Sequence, residues 1–391
     1  MKEWKLGVHA QPYSVAFAPD YAKRLVEKAG VDHFILRVGY GPDYPAAVGK
    51  AIEVIRDLNA DVFFMFGVWW GEAMKMVQDI PNKSWESKFT IEVPGSSADT
   101  YLIAKMKELC GQFKPDAICI THGRYRHPAY IDGIFDEAGG SEEYRARMKA
   151  AGIPREDVLA ARADWEKALH RMNKGTLLKG TEQGLVPFLC ELSQSDAAER
   201  LVAFRCQTVH DSLRAFRKTA KAFDGVTFGT NAYSPIAARI CGQTYDVAYA
   251  ETCEFVQPLL TYMEWHRYEP IAAWARYLQR FSGVDDASAI EASKQLFQLG
   301  GTICPDSIRE LDTCGEGTDE SILSLVGKDL ELCAPYLSQP YPVSPVLRGG
   351  PQWKPAVIDR LMEKARGLGF RGFEFMGCDY LLPNEPSVDW F

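Results

Sequence analysis

The feature that most constrains this chain is an alternation. Short runs rich in β-branched and aromatic residues recur along it, and helical patterns fill most of the intervals between them. Such alternation is the signature of βα units wound around a parallel sheet. The runs are Lys5–His9, His33–Val38, Asp61–Trp70, Asp116–His122, Gly225–Thr230, Glu254–Thr261, Val343–Leu347 and Gly372–Met376. The third is nearly all apolar, as a strand buried on both faces should be. Eight parallel strands predict an α/β fold of the (β/α)8 type, a TIM barrel, in which a single domain of about 250 residues also accepts insertions. A doubly wound open sheet is the alternative.

The intervals divide into short and long ones. Helical spacing over Tyr21–Ala29, Ala46–Leu58, Ala98–Phe113 and Lys354–Leu368 supplies barrel helices, the last with Pro355 at its start and Gly369 just past its end. The stretch from His122 to Val226 is far longer than one unit needs. It holds helical patterns at Glu142–Ala151, Arg155–Met172 and Asp196–Ala222, so residues 123–200 read as a helical insertion within one domain spanning 1–391. A second long interval, Thr261 to Val343, reads as a helical extension between strands six and seven, with helices over Pro270–Phe281, Ala287–Leu299 and Asp319–Leu337. Strands five and seven carry the weakest signals. Gly184–Leu192 competes for the former, and Pro342 with Pro345 interrupts the latter.

Composition narrows the function classes. Hydrophobic residues make up 47% and charged residues 25% of the chain, enough for a substantial core. A net charge of −8 without a dense Lys/Arg block gives no electrostatic reason to expect nucleic acid. No run approaches the ~20 apolar residues of a membrane span, and the N-terminal residues lack the apolar core of a signal peptide, so a cytoplasmic location is expected. The ten cysteines form no C-x-x-C pair and read as buried reduced thiols. Neither a phosphate loop, a serine-hydrolase elbow nor a dinucleotide fingerprint is present. No cofactor is implied.

In such barrels the working groups lie at the C-terminal ends of the strands. The candidates in strand order are His9; Arg37 and Tyr40; Trp69 and Trp70; His122, Arg124, Arg126 and His127; Asn231 and Tyr233; Tyr262, Glu264 and Trp265; Arg348; and Glu374 with Asp379. Aromatic and polar groups thus alternate around the rim. That pattern suits a polyhydroxylated ligand, whose C–H faces stack on rings and whose hydroxyls need donors and acceptors. The His122–His127 run fits an anion or hydroxyl clamp, with Arg124 or Arg126 paired to Asp132 or Asp136, better than a metal site.

Cleaving a glycosidic bond calls for two flanking carboxyl groups. Glu264 stands three residues past strand six among aromatics, where desolvation suits a general acid. Glu374 turns inward if Phe373 and Phe375 pack outward, and an inward carboxylate there serves either catalysis or a salt bridge to Arg37 or Arg348 within the barrel. Asp379 lies three residues past strand eight. Glu264 with Glu374 or Asp379 is the expected catalytic set.

Three stretches, Asp116–Phe135, Phe204–Lys221 and Gly242–Tyr262, together with Lys354–Asp379, make the chain resemble the glycoside-hydrolase-like (β/α)8 barrels, in particular the loosely defined group of hypothetical glycosyl hydrolases. The resemblance implies a carbohydrate-active enzyme hydrolysing a small saccharide or glycoside. The best-known barrel glycosidases place catalytic Glu residues at the ends of strands four and seven, where this chain has His122-Gly123 and Leu347-Arg348. Two other readings remain open. One is a divalent-metal-dependent sugar isomerase, epimerase or lyase with His9, His122 and Glu374 as ligands. The other is a catalytically silent sugar-binding barrel. The 123–200 insertion is the expected lid or homo-oligomer surface.

Overall fold

A computed structural model describes residues 5–38, 44–67, 97–121, 123–125, 131, 142–246, 250–261, 268–315, 317–338 and 342–383. Eight parallel strands form one sheet: β1 (Leu6–Ala10), β2 (His33–Val38), β3 (Asp61–Gly67), β4 (Ala117–Thr121), β5 (Thr227–Ala232), β6 (Phe255–Pro258), β7 (Val346–Arg348) and β8 (Phe373–Met376). Their order, β6-β5-β4-β3-β2-β1-β8-β7, never reverses. The ends are joined by bridges Val256 to Val343 and Leu259 to Val346, with the Leu260 amide donating to the Val346 carbonyl at 3.0 Å. The sheet is therefore a (β/α)8 barrel and the open doubly wound alternative is set aside, because that arrangement requires a switch point in the strand order.

Several strand boundaries differ from the sequence reading. Gly184–Leu192, the competitor for strand five, is helical over Leu185–Ser193, and β5 begins and ends two residues later than expected. The shift draws Asn231 and Ala232 into the strand. β7 is only three residues long, because Pro342 and Pro345 have no amide hydrogen to give the ladder, so Val343 makes a single bridge and pairing resumes at Val346.

The barrel helices wrap the outer face. They are α1 (Pro12–Phe17), α2 (Pro19–Ala29), α3 (Tyr44–Asp57) and α4 (Ser97–Phe113) in the first half. The short α1 precedes the helix expected from the sequence; Pro12 at its start and the break at Ala18 before Pro19 separate it from α2. Between β4 and β5 come α5 (Glu142–Ala150), α6 (Arg155–Leu169), α7 (Lys174–Thr181), α8 (Leu185–Ser193) and the long α9 (Ala197–Ala220). One apolar face of α9, including Leu201, Val209, Leu213 and Phe216, is buried against the barrel layer. The short α10 (Pro235–Ile240) follows β5, and α11 (Glu269–Ser282), α12 (Asp286–Leu296), α13 (Ile308–Thr313) and α14 (Asp319–Cys333) lie between β6 and β7. Last is α15 (Pro355–Leu368), with Pro355 in its first turn and Gly369 at φ 102° closing it.

The two inserted groups of helices pack on each other. The Trp165 indole N–H donates to the Tyr277 hydroxyl at 2.8 Å, and that hydroxyl donates to Glu166 Oε1 at 2.8 Å. Thr181 Oγ1 donates to Gln295 Oε1 at 2.6 Å, tying α7 to α12. No described helix is long and apolar enough to cross a membrane.

Candidate functional site

The period of two along each strand sorts the barrel residues into two sets. Val8, Phe34, Leu36, Val62, Phe64, Ile118, Phe228, Val256, Phe373 and Phe375 face the helices and belong to the main core. Ile35, Phe63, Met65, Ala117, Cys119 and Phe255 form a separate cluster inside the barrel. Phe63 and Phe255 meet across the interior with ring centroids 5.6 Å apart, and Phe255 lies against Gly229, where an added Cβ would come within 2.4 Å of its ring. This apolar plug fills the N-terminal end.

Within the plug sits an ion pair. Glu374 does turn inward, with Phe373 and Phe375 outward, but its carboxylate is engaged. His33 Nε2 donates to Glu374 Oε1 and Oε2 at 2.9 and 3.0 Å, while His33 Nδ1 donates to Asp32 Oδ1 at 2.5 Å. Gly7, on the strand between them, makes the contact possible, since a Cβ there would lie 1.8 Å from Glu374 Oε2 and 2.2 Å from His33 Nε2. Burial by itself would lower the His33 pKa. The Glu374 charge, with the hydrogen bonds to Asp32 and Glu374, outweighs it and carries the value up to about 9. His33 is thus an imidazolium between two carboxylates at neutral pH.

The ion-pair partner of Glu374 differs from the two that were expected. Its partner is His33 and not Arg37 or Arg348. Glu374 is 2% exposed, and its carboxylate is held in this ion pair below the mouth.

Followed around the barrel, the strand register puts Ile35, Cys119, Gln257 and Glu374 at one level, and His9, Met65, Asn231 and Val346 at the next one toward the C-terminal mouth. The interior turns polar here. Asn231 Nδ2 donates to Gln257 Oε1 at 2.8 Å, and the Cys119 thiol donates to the same oxygen at 3.2 Å. Asn231 Oδ1, Gln257 Nε2 and both ring nitrogens of His9 have no hydrogen-bond partner among the described residues. Burial, then the charges of Arg37 and His33, push the His9 pKa down to about 3, so its ring is neutral at pH 7.

Several residues expected on the rim lie deeper. Arg37 is on β2 facing the interior, Asn231 is inside β5 at 2% exposure, and Tyr233 is 1% exposed. The Arg124 guanidinium stacks 4.2 Å from the Tyr233 ring centroid and donates to the Tyr125 carbonyl at 3.1 Å. Gln243 fixes this wall: its Nε2 donates to the carbonyls of Asn231 at 2.9 Å and Gly123 at 3.4 Å, and its Oε1 accepts from the Tyr233 amide at 3.2 Å. On the far side Arg348 ends β7. The loops after β7 and β8 are knitted by the Gly349 amide donating to the Met376 carbonyl and the Tyr380 amide to the Gly349 carbonyl, each at 2.8 Å. Asp379 stands in that second loop beside Gly350, half-buried and without an ion-pair or hydrogen-bond partner among the described residues.

Tyr40, Trp69, Trp70, His122, Arg126, His127, Tyr262, Glu264 and Trp265 lie outside the described residues, as do Asp132 and Asp136. Among the described residues no three His, Cys, Asp or Glu side chains converge as a metal site would require. All ten cysteines are free thiols.

No family model matches this chain, and no curated protein matches it either. Among solved structures it is similar to a noncanonic maltogenic alpha-amylase from Thermotoga neapolitana, at 11% identity and TM-score 0.40 over 99% of this chain and 70% of that one. A beta-glucosidase from Exiguobacterium marinum follows at 7% identity and TM-score 0.39, covering 96% and 88%. A hyperthermophilic beta-glucosidase mutant gives 9% identity and TM-score 0.39, covering 96% and 91%. Likeness at this level adds nothing to the barrel already established by the register and does not bear on the reaction.

Proposed function

We propose that this barrel is a carbohydrate-active enzyme that hydrolyses a glycosidic bond in a small saccharide or glycoside, with Asp379 and Glu264 as its two carboxyl groups. The observation that supports the reading most is the Asp379 carboxylate itself, which stands in the β8 loop with no charge partner among the described residues. Glu264 follows β6 in sequence, and β6 and β8 flank β7, so the two loops leave the same end of the barrel about two strand spacings, roughly 10 Å, apart. Carboxyl separations of about 5–9.5 Å serve the two hydrolytic mechanisms. Arg124 and Arg348 supply hydroxyl donors nearby on the rim.

The test is release of nitrophenol from a panel of nitrophenyl glycosides by the full chain. Asp379→Asn and Glu264→Gln should each lower turnover by about a thousandfold or more while sugar binding persists. Turnover that survives both changes defeats the assignment. A second reading, a sugar-binding barrel without turnover, is favoured by the engagement of Glu374 with His33; binding across the panel with no release of nitrophenol selects it.

A further inference from the structure

The buried polar groups in the mouth half of the barrel interior are not explained by packing. Buried polar atoms in folded proteins nearly always have partners, and each one left without a partner is costly. Here four such atoms, on His9, Asn231 and Gln257, face the interior of a single barrel, all on residues no more than 2% exposed. Their hydrogen-bonding character is balanced. A neutral imidazole offers one donor and one acceptor. The Asn231–Gln257 pair likewise leaves one acceptor, Asn231 Oδ1, and one donor, Gln257 Nε2. Turning both amides over exchanges their roles and again leaves one of each.

A group that complements such a pair must both give and accept a hydrogen bond. A hydroxyl does so. A carboxylate or phosphate oxygen only accepts and would leave an acceptor idle on each pair, and an ammonium only donates and would leave a donor idle on each. The Cys119 thiol completes the floor by donating to Gln257 Oε1, which holds that amide in place.

We infer that His9, Asn231 and Gln257 form a deep subsite for hydroxyl groups, which makes the ligand an uncharged sugar or polyol and excludes uronic acids, sugar phosphates and amino sugars carrying their charge at that position. The inference rests on the carbohydrate reading above and specifies its substrate class. Gln257 is its distinguishing residue, since it lies inside β6 and away from the rim.

The experiment is titration calorimetry on the full chain with methyl glucoside, methyl glucuronide, glucose 6-phosphate and glucosamine, followed by the same titrations on Gln257→Met and His9→Phe. The uncharged glycoside should bind the parent protein at least about tenfold more tightly than any charged probe, and either substitution should weaken it by about tenfold while leaving the charged probes unchanged. If a charged probe binds as well as methyl glucoside, the subsite assignment falls, and this arm needs no variant to fold. If the variants fold and bind methyl glucoside like the parent, the polar floor serves only internal water and the inference falls while the carbohydrate reading stands. Binding of no probe at all overturns both together.

Discussion

Replacing Glu374 with Gln separates a structural role from a catalytic one. The substitution keeps the shape of the side chain and an oxygen for His33 to bond, but removes the charge that does most to offset burial of the imidazolium. In the folded protein the His33 pKa is raised from 6.5 to about 9, which corresponds to roughly 3 kcal/mol of preference for the charged ring. Because the folded-state value is the higher one, this stabilisation is present in full below about pH 6.5 and is lost as the pH rises through about 9. Glu374→Gln should therefore cost about 2–4 kcal/mol near pH 6.5, in line with the loss of one partner from a buried pair. The deficit should shrink toward zero by about pH 10, where His33 is neutral in both proteins. Urea unfolding followed by circular dichroism at several pH values reads the difference between parent and variant, and the Lys and Tyr titrations common to both cancel in it. Equal stability at pH 6.5, or a deficit of the same size at pH 10, refutes the ion pair. Loss of sugar turnover in a folded variant of undiminished stability would return Glu374 to the catalytic set.

Gly7→Ala tests the same pair sterically: the new methyl would overlap both partners, so a loss of at least about 3 kcal/mol in unfolding free energy is expected, beyond the usual overpacking penalty. A Gly7→Ala protein within about 1 kcal/mol of the parent contradicts the close approach of strands β8, β1 and β2 around it. His9 has the opposite sign. Its folded-state pKa is lowered from 6.5 to about 3, so the stability of its neutral ring is present above about pH 6.5 and erodes as the pH falls toward 3. His9→Gln should flatten the acid limb of a melting-temperature profile, keeping on the order of 3 kcal/mol that the parent loses by pH 4; identical acid limbs would show that His9 is not sealed from water.

The barrel was legible in the sequence because its signals are local and repeated. Each strand announces itself by apolar runs such as the residues of β3, and each barrel helix by a spacing such as that of α9 or by end signals such as Pro355 and Gly369. Boundaries were less legible where two local preferences compete. Gly184–Leu192 is apolar enough for a strand, yet in the structure the segment is a helix after Gly184, whose φ of 89° sets the turn into it. β5 slid two residues toward its C-terminus because its ladder partners on β4 and β6 fix the register, and that information is not in the strand's own residues.

The site was less legible, for a related reason. Sequence position alone puts Asn231 just past the end of its strand, whereas the ladder with β6 holds it inside β5. What decides chemistry inside a barrel is which side chains share a level, and that depends on the stagger accumulated around all eight strands. Gln257 is a polar residue in the middle of an apolar run, visible in the sequence but without meaning until β5 places Asn231 beside it. In the sequence His33 is only the first residue of a strand, yet a histidine beginning one inward-facing row and a glutamate in another are the two ends of a single ion pair once β1 sets Gly7 between them. The same stagger sets Gln257 on the level of Glu374 and puts His9 and Asn231, with Met65 and Val346, on the next level toward the mouth. Amide and imidazole atoms without a hydrogen-bond partner among the described residues thus stand beside and just above the His33–Glu374 pair, with Arg37 facing the same interior from β2, and burying such neutral groups calls for a partner that both gives and accepts hydrogen bonds.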